Sequence, residues 1–318
     1  MSGEIRFSVV IPHRNGKDTL MATLTALMRA IDPGRDEVIL VDNGSQDDSP
    51  AHAAATFPRL TILSNACNNG FGRACNQGIA RAQGKFLLIL NNDALVPSHA
   101  LDEFAGQFET MFDAALLAPQ LIGPDGEPQR SFGLFPDVRS ETGIGRKRRP
   151  TSADGDQPWR VETVVGACMA VRREAIDQAG AFDEDFFFYF EETEWCHRLQ
   201  RYGWGVWLLP NLKVVHGKGV STRPLRRAAQ VEMLRSRLLY YRKVFPPALA
   251  ASLSLWRILR LALNTLTATL AVLLSFGLAQ GARARWGTYA IQLAWLGVGR
   301  PESWGLPDKC PRLSERKP

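Results

Sequence analysis

Cysteine is scarce in this chain. Five residues, Cys67, Cys75, Cys168, Cys196 and Cys310, occur among 318, and no two stand at the spacing of a metal-binding pair. A chain this long can bury a full hydrophobic core, which argues against a disulfide-stapled scaffold or a cysteine-based zinc module. The expectation is five reduced thiols in a cytoplasmic setting. No secretory leader is expected either: MSGEIRFSVVIPHRNG has no apolar core followed by a cleavage site and passes straight into a strand-like run.

No phosphate-cradling glycine loop is complete. GFGRAC (Gly70 to Cys75) begins like a dinucleotide fingerprint, but it lacks the third glycine and follows the third strand-like run rather than the first. HGKGVST has a Gly-Lys pair without the upstream glycine of a Walker loop. The polar strand ends carry no obvious basic cluster either. A diphosphate bound there would need a divalent cation to neutralise it. No nucleic-acid partner is expected.

What is present is a globular composition, 45% hydrophobic and 22% charged, enough for one large domain with an appendage. In the first half, FSVVIP (Phe7 to Pro12), EVILVD (Glu37 to Asp42), LTILS (Leu60 to Ser64) and KFLLILN (Lys85 to Asn91) are short apolar runs. Helix-length segments such as Asp18 to Ala30 and Arg73 to Ala82 separate them. Such runs read as parallel strands buried on both faces under crossover helices. Right-handed crossovers then bring the strand ends to one edge of the sheet, where ligands bind.

Those ends are polar. The first run closes in PHRNG, the second in DNGSQDDS and the fourth in NNDA. Asn15-Gly16 and Asn43-Gly44 have a plain explanation as turn formers. A carboxylate at each of two tips, Asp42 and Asp93, points further, to a crevice for a charged ligand. Asp93 is a hard-oxygen ligand for a divalent ion, flanked by the amides of Asn91 and Asn92.

In the second half FFFYFEETEWCHRL sets an aromatic wall before Glu191, Glu192 and Glu194. Acids at a helix start also complement the helix dipole, and that structural reading stays open. Gly123 to Pro158 is rich in Gly, Pro and charge, and its basic run Arg146–Arg149 reads as a solvated loop or as a lid over a phosphate.

Four stretches, SVVIPHRNG, VILVDNGSQDDS, NNGFGRACNQGIARAQGKFLLILNNDALV and GAFDEDFFFYFEETEWCHRLQRYGWGVWLLPNLKVVHGKGVS, resemble in order and spacing the family 2 glycosyltransferases, in their non-processive, rhamnosyltransferase-like branch. The likeness spans roughly residues 5 to 245. It implies an α/β fold of GT-A type: a Rossmann-like nucleotide-binding, mostly parallel sheet with flanking helices. It further implies a nucleotide-sugar donor, a divalent cation (Mg2+ or Mn2+) and inversion at the anomeric carbon.

Carried over position by position, Asp42 matches the acid that binds the nucleobase, with Pro12, Arg14 and Asn15 around the nucleoside. Asn69 and Arg73 fall where the family contacts the nucleotide. Asn91-Asn92-Asp93 replaces the usual Asp-X-Asp, so Asp93 carries the metal alone on that strand, with His216 closing the site. Glu192 matches the general base, one methylene longer than the family's Asp, and Glu194 is its alternative. Gly166 and Ala167 in GACMAV resemble the acceptor-side wall, and Trp195 is either a packing residue or an indole that stacks on a sugar.

Charge divides the chain. From Arg223 onward sixteen Lys or Arg face four Asp or Glu, a net of +12, which leaves −6 of the overall +6 for residues 1 to 222. RSRLLYYRKVFPP reads as a basic amphipathic helix, and Leu261 to Ala282 is uncharged for 22 residues, with a second uncharged run from Trp286 to Gly299. About 20 apolar residues suffice to span a bilayer. The run also holds Asn264, Ser275 and Gln280, so it reads as spanning, dipping into or lying on an anionic leaflet, or as a helical hairpin packed on the protein or on a second subunit.

The sequence thus predicts a catalytic domain over 1–222, with a donor half to about 122 and an acceptor and base half from about 159, followed by a helical membrane-associating extension over 223–318. The expected reaction moves a sugar, rhamnose from dTDP-rhamnose or another UDP- or dTDP-sugar, to a hydroxyl of a lipid-linked or cell-envelope glycan. It is placed at the cytoplasmic face of the inner (plasma) membrane, as a peripheral or monotopic protein and a candidate homo-oligomer. A processive polysaccharide synthase and a nucleotide-sugar-binding protein without turnover are the alternatives. RLQRYGW is not the Gln-X-X-Arg-Trp of the former.

Overall fold

The computed structural model describes residues 4–143, 155–217 and 225–310, and the basic run Arg146–Arg149 lies outside them. Every apolar run of the first half forms a strand: β1 (Phe7–His13), β2 (Asp36–Asp42), β3 (Thr61–Ser64) and β4 (Phe86–Leu90). Between them lie α1 (Lys17–Leu27), α2 (Ser49–Thr56) and α3 (Phe71–Arg81). The chain continues through β5 (Ala94–Leu95), α4 (Ala100–Thr110), β6 (Ala114–Ile122), β7 (Phe132–Gly133), α5 (Val138–Thr142), β8 (Trp159–Arg160), β9 (Thr163–Val164), β10 (Cys168–Arg172), α6 (Arg173–Ala179), α7 (Glu191–Arg201) and β11 (Gly205–His216).

A nine-stranded sheet runs in the order β3-β2-β1-β4-β10-β6-β11-β5, with β8 beside β11. The first four strands are parallel. β10 runs antiparallel between β4 and β6, β11 is parallel to β6, and β5 and β8 are antiparallel to β11. The mostly parallel expectation therefore holds for the first half only. No helical crossover feeds β10, because the chain enters it from the small β7–β9 pair.

Continuous apolar runs arise because both faces of the central strands are covered. Phe86, Leu88 and Leu90 of β4 pack with Leu20, Leu24 and Phe104 of α1 and α4, whereas Leu87 and Ile89 pack with Ile79 of α3 and Trp195 and Leu199 of α7. The alternation follows from side chains pointing to opposite faces of a strand. β3 is the exception. It is an edge strand and stays half-buried.

Three helices follow: α8 (Arg226–Val244), α9 (Pro247–Leu274) and α10 (Gln280–Gly297). α8 is not the surface amphipathic helix its composition suggests. Val231, Leu234, Tyr240 and Tyr241 are buried in a third core with Phe186 and Phe190 from the aromatic run and Leu253 and Trp295 from α9 and α10. The uncharged run Leu261 to Ala282 is not one helix either. α9 stops at Leu274, and Phe276 and Gly277 take positive φ values of 48° and 75°, turning the chain into a hairpin. Leu274, Phe276 and Leu278 at that tip are 82%, 91% and 80% exposed.

The thiol expectation is corrected in part. Cys67 and Cys310 form a disulfide across a sequence separation of 243, too distant for any spacing pattern to announce it. Cys75, Cys168 and Cys196 are free and buried, as expected of small apolar residues, and burial raises the pKa of each thiol.

Candidate active site

The site lies along the strand ends and can be followed residue by residue. β4 ends at Leu90, and the Asn91 N–H then donates to the Ala167 carbonyl at 2.9 Å, tying the tip to the entry of β10. The chain turns into β5, whose Ala94 is registered against His216, the last residue of β11. The Gly217 N–H closes the corner on the Asp93 carbonyl at 3.0 Å. Asp93 Oδ1 consequently lies 3.5 Å from His216 Nε2, with both side chains 9% exposed. Burial pushes the Asp93 carboxyl up and the neighbouring His216 opposes it.

The pair suits a divalent cation. A carboxylate oxygen and an imidazole nitrogen at that separation can both reach one ion in cis positions. Among the described residues no cluster of three or more His, Cys, Asp or Glu surrounds them. Asp93 and His216 by themselves would supply only part of a coordination shell, as in Mg2+ sites completed by substrate phosphates.

Asn92 turns the other way. Its amide donates to His13 Nδ1 at 2.8 Å, its carbonyl accepts from Thr23 Oγ1 at 2.9 Å, and His13 Nε2 meets Ser49 Oγ at 2.7 Å. His13 therefore knots the ends of β1 and β4 to the start of α2. Burial lowers its pKa to about 4 against the pull of Asp42 and Asp47, so the imidazole is neutral and can accept from Asn92. As placed, Asn92 is a support for the tip rather than an open contact.

The approach to Glu191 and Glu192 begins with backbone strain. Tyr189 and Phe190 are consecutive non-glycine residues at φ 71° and 69°, and they deliver the chain into α7. Such conformations cost of order 1–3 kcal/mol each and cluster at functional sites. Glu191, first in α7, is buried with Oε2 unpartnered, and burial together with Glu192 raises its pKa well above the carboxylate range. Glu192 is partly exposed, and a Cβ placed on Gly166 would stand 3.7 Å from its Cβ. Desolvation raises its carboxyl to about 7 against its own and the Thr193 backbone N–H groups and Arg130.

The two other acid-helix candidates are used structurally. Glu194 is buried and holds Arg198 in a two-pronged ion pair at 2.9 Å, while the same guanidinium caps the carbonyls of Ala179, Gly180 and Ala181. Trp195 is 0% exposed, donates to the Gly180 carbonyl at 2.8 Å and packs on Phe182. Stacking of that indole on a sugar is excluded, because core surrounds it on every side. Ala167 is likewise buried, leaving its carbonyl, already bound to Asn91, and the Gly166 backbone as the wall.

On the nucleotide side Asp42 is buried at the end of β2 and accepts from the Ser45 N–H at 2.9 Å. Asn15 accepts from the Gln46 N–H, and Pro12 lies in β1 beside Val41. The Asn69 N–H donates to the Asn43 side chain at 2.9 Å, and Asn43 also reaches Asn65, Asn68 and the Gly70 carbonyl. Arg73 pairs with Glu184 at 3.0 Å, and Arg14 pairs with Asp308 while its Nε is buried without a partner. Asn69, Arg73, Arg235 and Lys309 line one cavity together with Glu184 and Asp185, so cations do gather here, among acids. Two of these cations come from beyond residue 222, where reading along the chain could not place them.

Comparison with known proteins follows this layout. A family profile described as Glycosyl transferase family 2 matches residues 8–180. The N-acetylglucosaminyl-diphospho-decaprenol L-rhamnosyltransferase of Mycobacterium tuberculosis is 27% identical over 211 residues, covering 58% of this chain and 67% of its own. The dTDP-rhamnosyl transferase RfbF of Shigella flexneri is 22% identical over 202 residues, covering 63% and 66%. Among solved structures, the mannosyltransferase PcManGT from Pyrobaculum calidifontis, in complex with GDP-Man and Mn2+, aligns with a TM-score of 0.55 at 17% identity, over 93% of this chain and 86% of that one.

Proposed function

The chain belongs to glycosyl transferase family 2 and has a GT-A fold, and on that premise we propose that it is an inverting transferase that moves rhamnose from a dTDP donor to a hydroxyl of a lipid-linked glycan. Relatives named for rhamnosyl transfer, one of them for a diphospho-decaprenol substrate, support the choice of donor and acceptor. The observation that supports the mechanism is that Glu192 lies beside Gly166 while the tip that carries Asp93, paired with His216, is tied through the Asn91 N–H to the Ala167 carbonyl.

In this reading the acceptor hydroxyl attacks the anomeric carbon as the bond to the diphosphate oxygen breaks. Glu192 takes the hydroxyl proton, and a carboxyl titrating at about 7 is suited to that role near neutral pH. Asp93 and His216 would hold a divalent cation, which would neutralise the departing nucleoside diphosphate. Asn91 fixes the tip against β10, and Asp42, Asn15, Asn69 and Arg73 supply polar contacts around the nucleotide. Glu194, committed to Arg198, is not available as the base.

The helical hairpin belongs to the same proposal. α9 is long and apolar enough to cross a membrane by length and composition, and 11% of its most apolar window is buried. Leu263, Leu266, Leu270 and Leu273 continue the exposed surface toward the tip at Phe276. With the uncharged run broken at that turn, we read a monotopic hairpin dipping into the cytoplasmic leaflet, where a lipid-linked acceptor presents its glycan. A thermal-shift screen of UDP-, dTDP- and GDP-sugars with and without Mn2+ or Mg2+ tests donor and metal together, because a ligand bound only to the folded protein raises its melting temperature. A shift with dTDP-rhamnose that requires the cation is expected; a shift with none of the nucleotides would overturn the reading.

A further inference from the structure

The segment Gly305–Cys310 returns from the helical hairpin to the nucleotide side of the crevice and is fastened there by hydrogen bonds, ion pairs and a disulfide. The Asn68 N–H donates to the Asp308 carbonyl at 3.0 Å and the Cys310 N–H to the Asn68 carbonyl at 2.9 Å. Lys309 pairs at 2.5 Å with Glu232, whose side chain is fully buried, and lies 4.4 Å from the Phe187 ring centroid. Asp308, at φ 58°, aims its carboxylate at Arg14. The Cys67–Cys310 disulfide locks the arrangement.

Two features make this more than a staple. The acid of the segment neutralises Arg14, the cation at the end of β1, where a donor's diphosphate would carry the same charge as Asp308. The disulfide sulfurs also belong to the partly exposed cysteines, whereas Cys75, Cys168 and Cys196 are buried with thiols held in the protonated form. A reductant therefore has one sulfur pair to act on among the described residues. Disulfides in a reducing compartment are characteristically transient and regulatory.

We propose that Cys67–Cys310 is a redox latch: formed, it holds Gly305–Cys310 across the mouth of the donor crevice with Asp308 on Arg14, and a dithiol reductant opens it. The step balances as a thiol–disulfide exchange. The S–S bond breaks, the two cysteine sulfurs gain two electrons and two protons, and the dithiol leaves as its own disulfide. Released from Cys67, the segment is held by noncovalent contacts alone, and Arg14 becomes available to an anion. The inference rests on the reading of this crevice as a donor site.

Titration calorimetry of the full chain with dTDP, UDP and GDP in the presence of Mn2+ tests it, comparing oxidised protein, protein reduced with dithiothreitol, and Cys310→Ser. Tenfold or tighter nucleotide binding in the reduced and Cys310→Ser forms is expected, with two thiols gained on reduction by alkylation and mass measurement. Asp308→Asn, left oxidised, separates charge from latch, because asparagine tolerates the left-handed backbone there. It should recover part of the affinity, and it keeps the test valid if Cys310→Ser folds poorly. Equal affinity in every form, or weaker binding after reduction, overturns the latch and leaves the donor site standing. Failure of every form to bind any of the nucleotides overturns the donor-site reading itself, and the latch with it.

Discussion

Asp93 Oδ1 and His216 Nε2 stand 3.5 Å apart because the turn after β4 and the last residue of β11 are joined by the two-residue strand β5. Together they place a carboxylate oxygen and an imidazole nitrogen side by side at the sheet edge.

Removal of the carboxylate from that pair tests its role. Asp93→Asn is expected to bind the nucleotide without any dependence on Mn2+ or Mg2+, while the wild type loses affinity when the cation is chelated. Calorimetry with and without chelator decides it, and unchanged metal dependence in the variant would rule out Asp93 as a ligand.

Glu192→Gln should lower transfer roughly a hundredfold or more, since proton removal contributes at least that much to such steps. Glu194→Gln should instead be read out in stability, through loss of the Arg198 ion pair. If only the second variant lost turnover at unchanged melting temperature, the base would be Glu194.

The raised pKa of Glu192 also makes a stability prediction. With a folded value of about 7 against the model-peptide 4.5, the folded state binds this proton more tightly. Its contribution is therefore full below about pH 4.5 and is lost as pH rises through 7. Glu192→Gln should be more stable than wild type at pH 8, by about 1–2 kcal/mol after allowing for its partial exposure, and equal to it near pH 4. In the wild type, transfer should fall as pH drops below 7. Melting curves and rates across pH 4 to 8 check both signs.

Gly70 sits at φ 84°, and a Cβ there would lie 2.4 Å from the Phe187 carbonyl that accepts from the Phe71 N–H. Gly70→Ala should destabilise the protein by about 2 kcal/mol or more, from the left-handed backbone and the clash together. Denaturant unfolding of this variant beside Gly106→Ala, where a Cβ meets nothing within 4 Å, provides the control.

The membrane reading can be tested without truncation. Full-length protein should sediment with anionic vesicles, and replacing Leu274, Phe276 and Leu278 by glutamate should leave it in solution. High salt should release the wild type only in part, because basic residues contribute about 1 kcal/mol each near the surface and are screened, whereas apolar contact is not. Indifference of the wild type to vesicles, with a dimer in solution that the triple variant lacks, would assign the same face to a second copy.

Much of this was legible in the sequence because the fold's first half obeys local rules. Phe7 to Pro12 and Glu37 to Asp42 are apolar on both faces, and the strands appear within a residue of those bounds. Asp93 and Glu192 were visible as acids where an apolar run stops or a helix starts. Long-range features were not legible. No local pattern tells that Asp308 meets Arg14, or that Cys67 meets Cys310. Tyr240 and Tyr241 beside basic residues look like a surface helix until Phe186 and Phe190 close over them. The choice between packing and stacking for Trp195 was open for the same reason, since a helix pattern gives the period of its buried face but not how deep the covering layer is.

The Cys67–Cys310 bond turns the chain between those residues into a covalent ring. Asn69, Arg73, Asp93, Glu192 and His216 lie on the ring, whereas Arg14 and Asp42 hang from it on the N-terminal arm. A protease that cuts once inside the ring opens it without dividing the molecule. The nicked protein would run as one band on a non-reducing gel and as two after reduction, and an unreduced digest would understate how often the backbone had been cut.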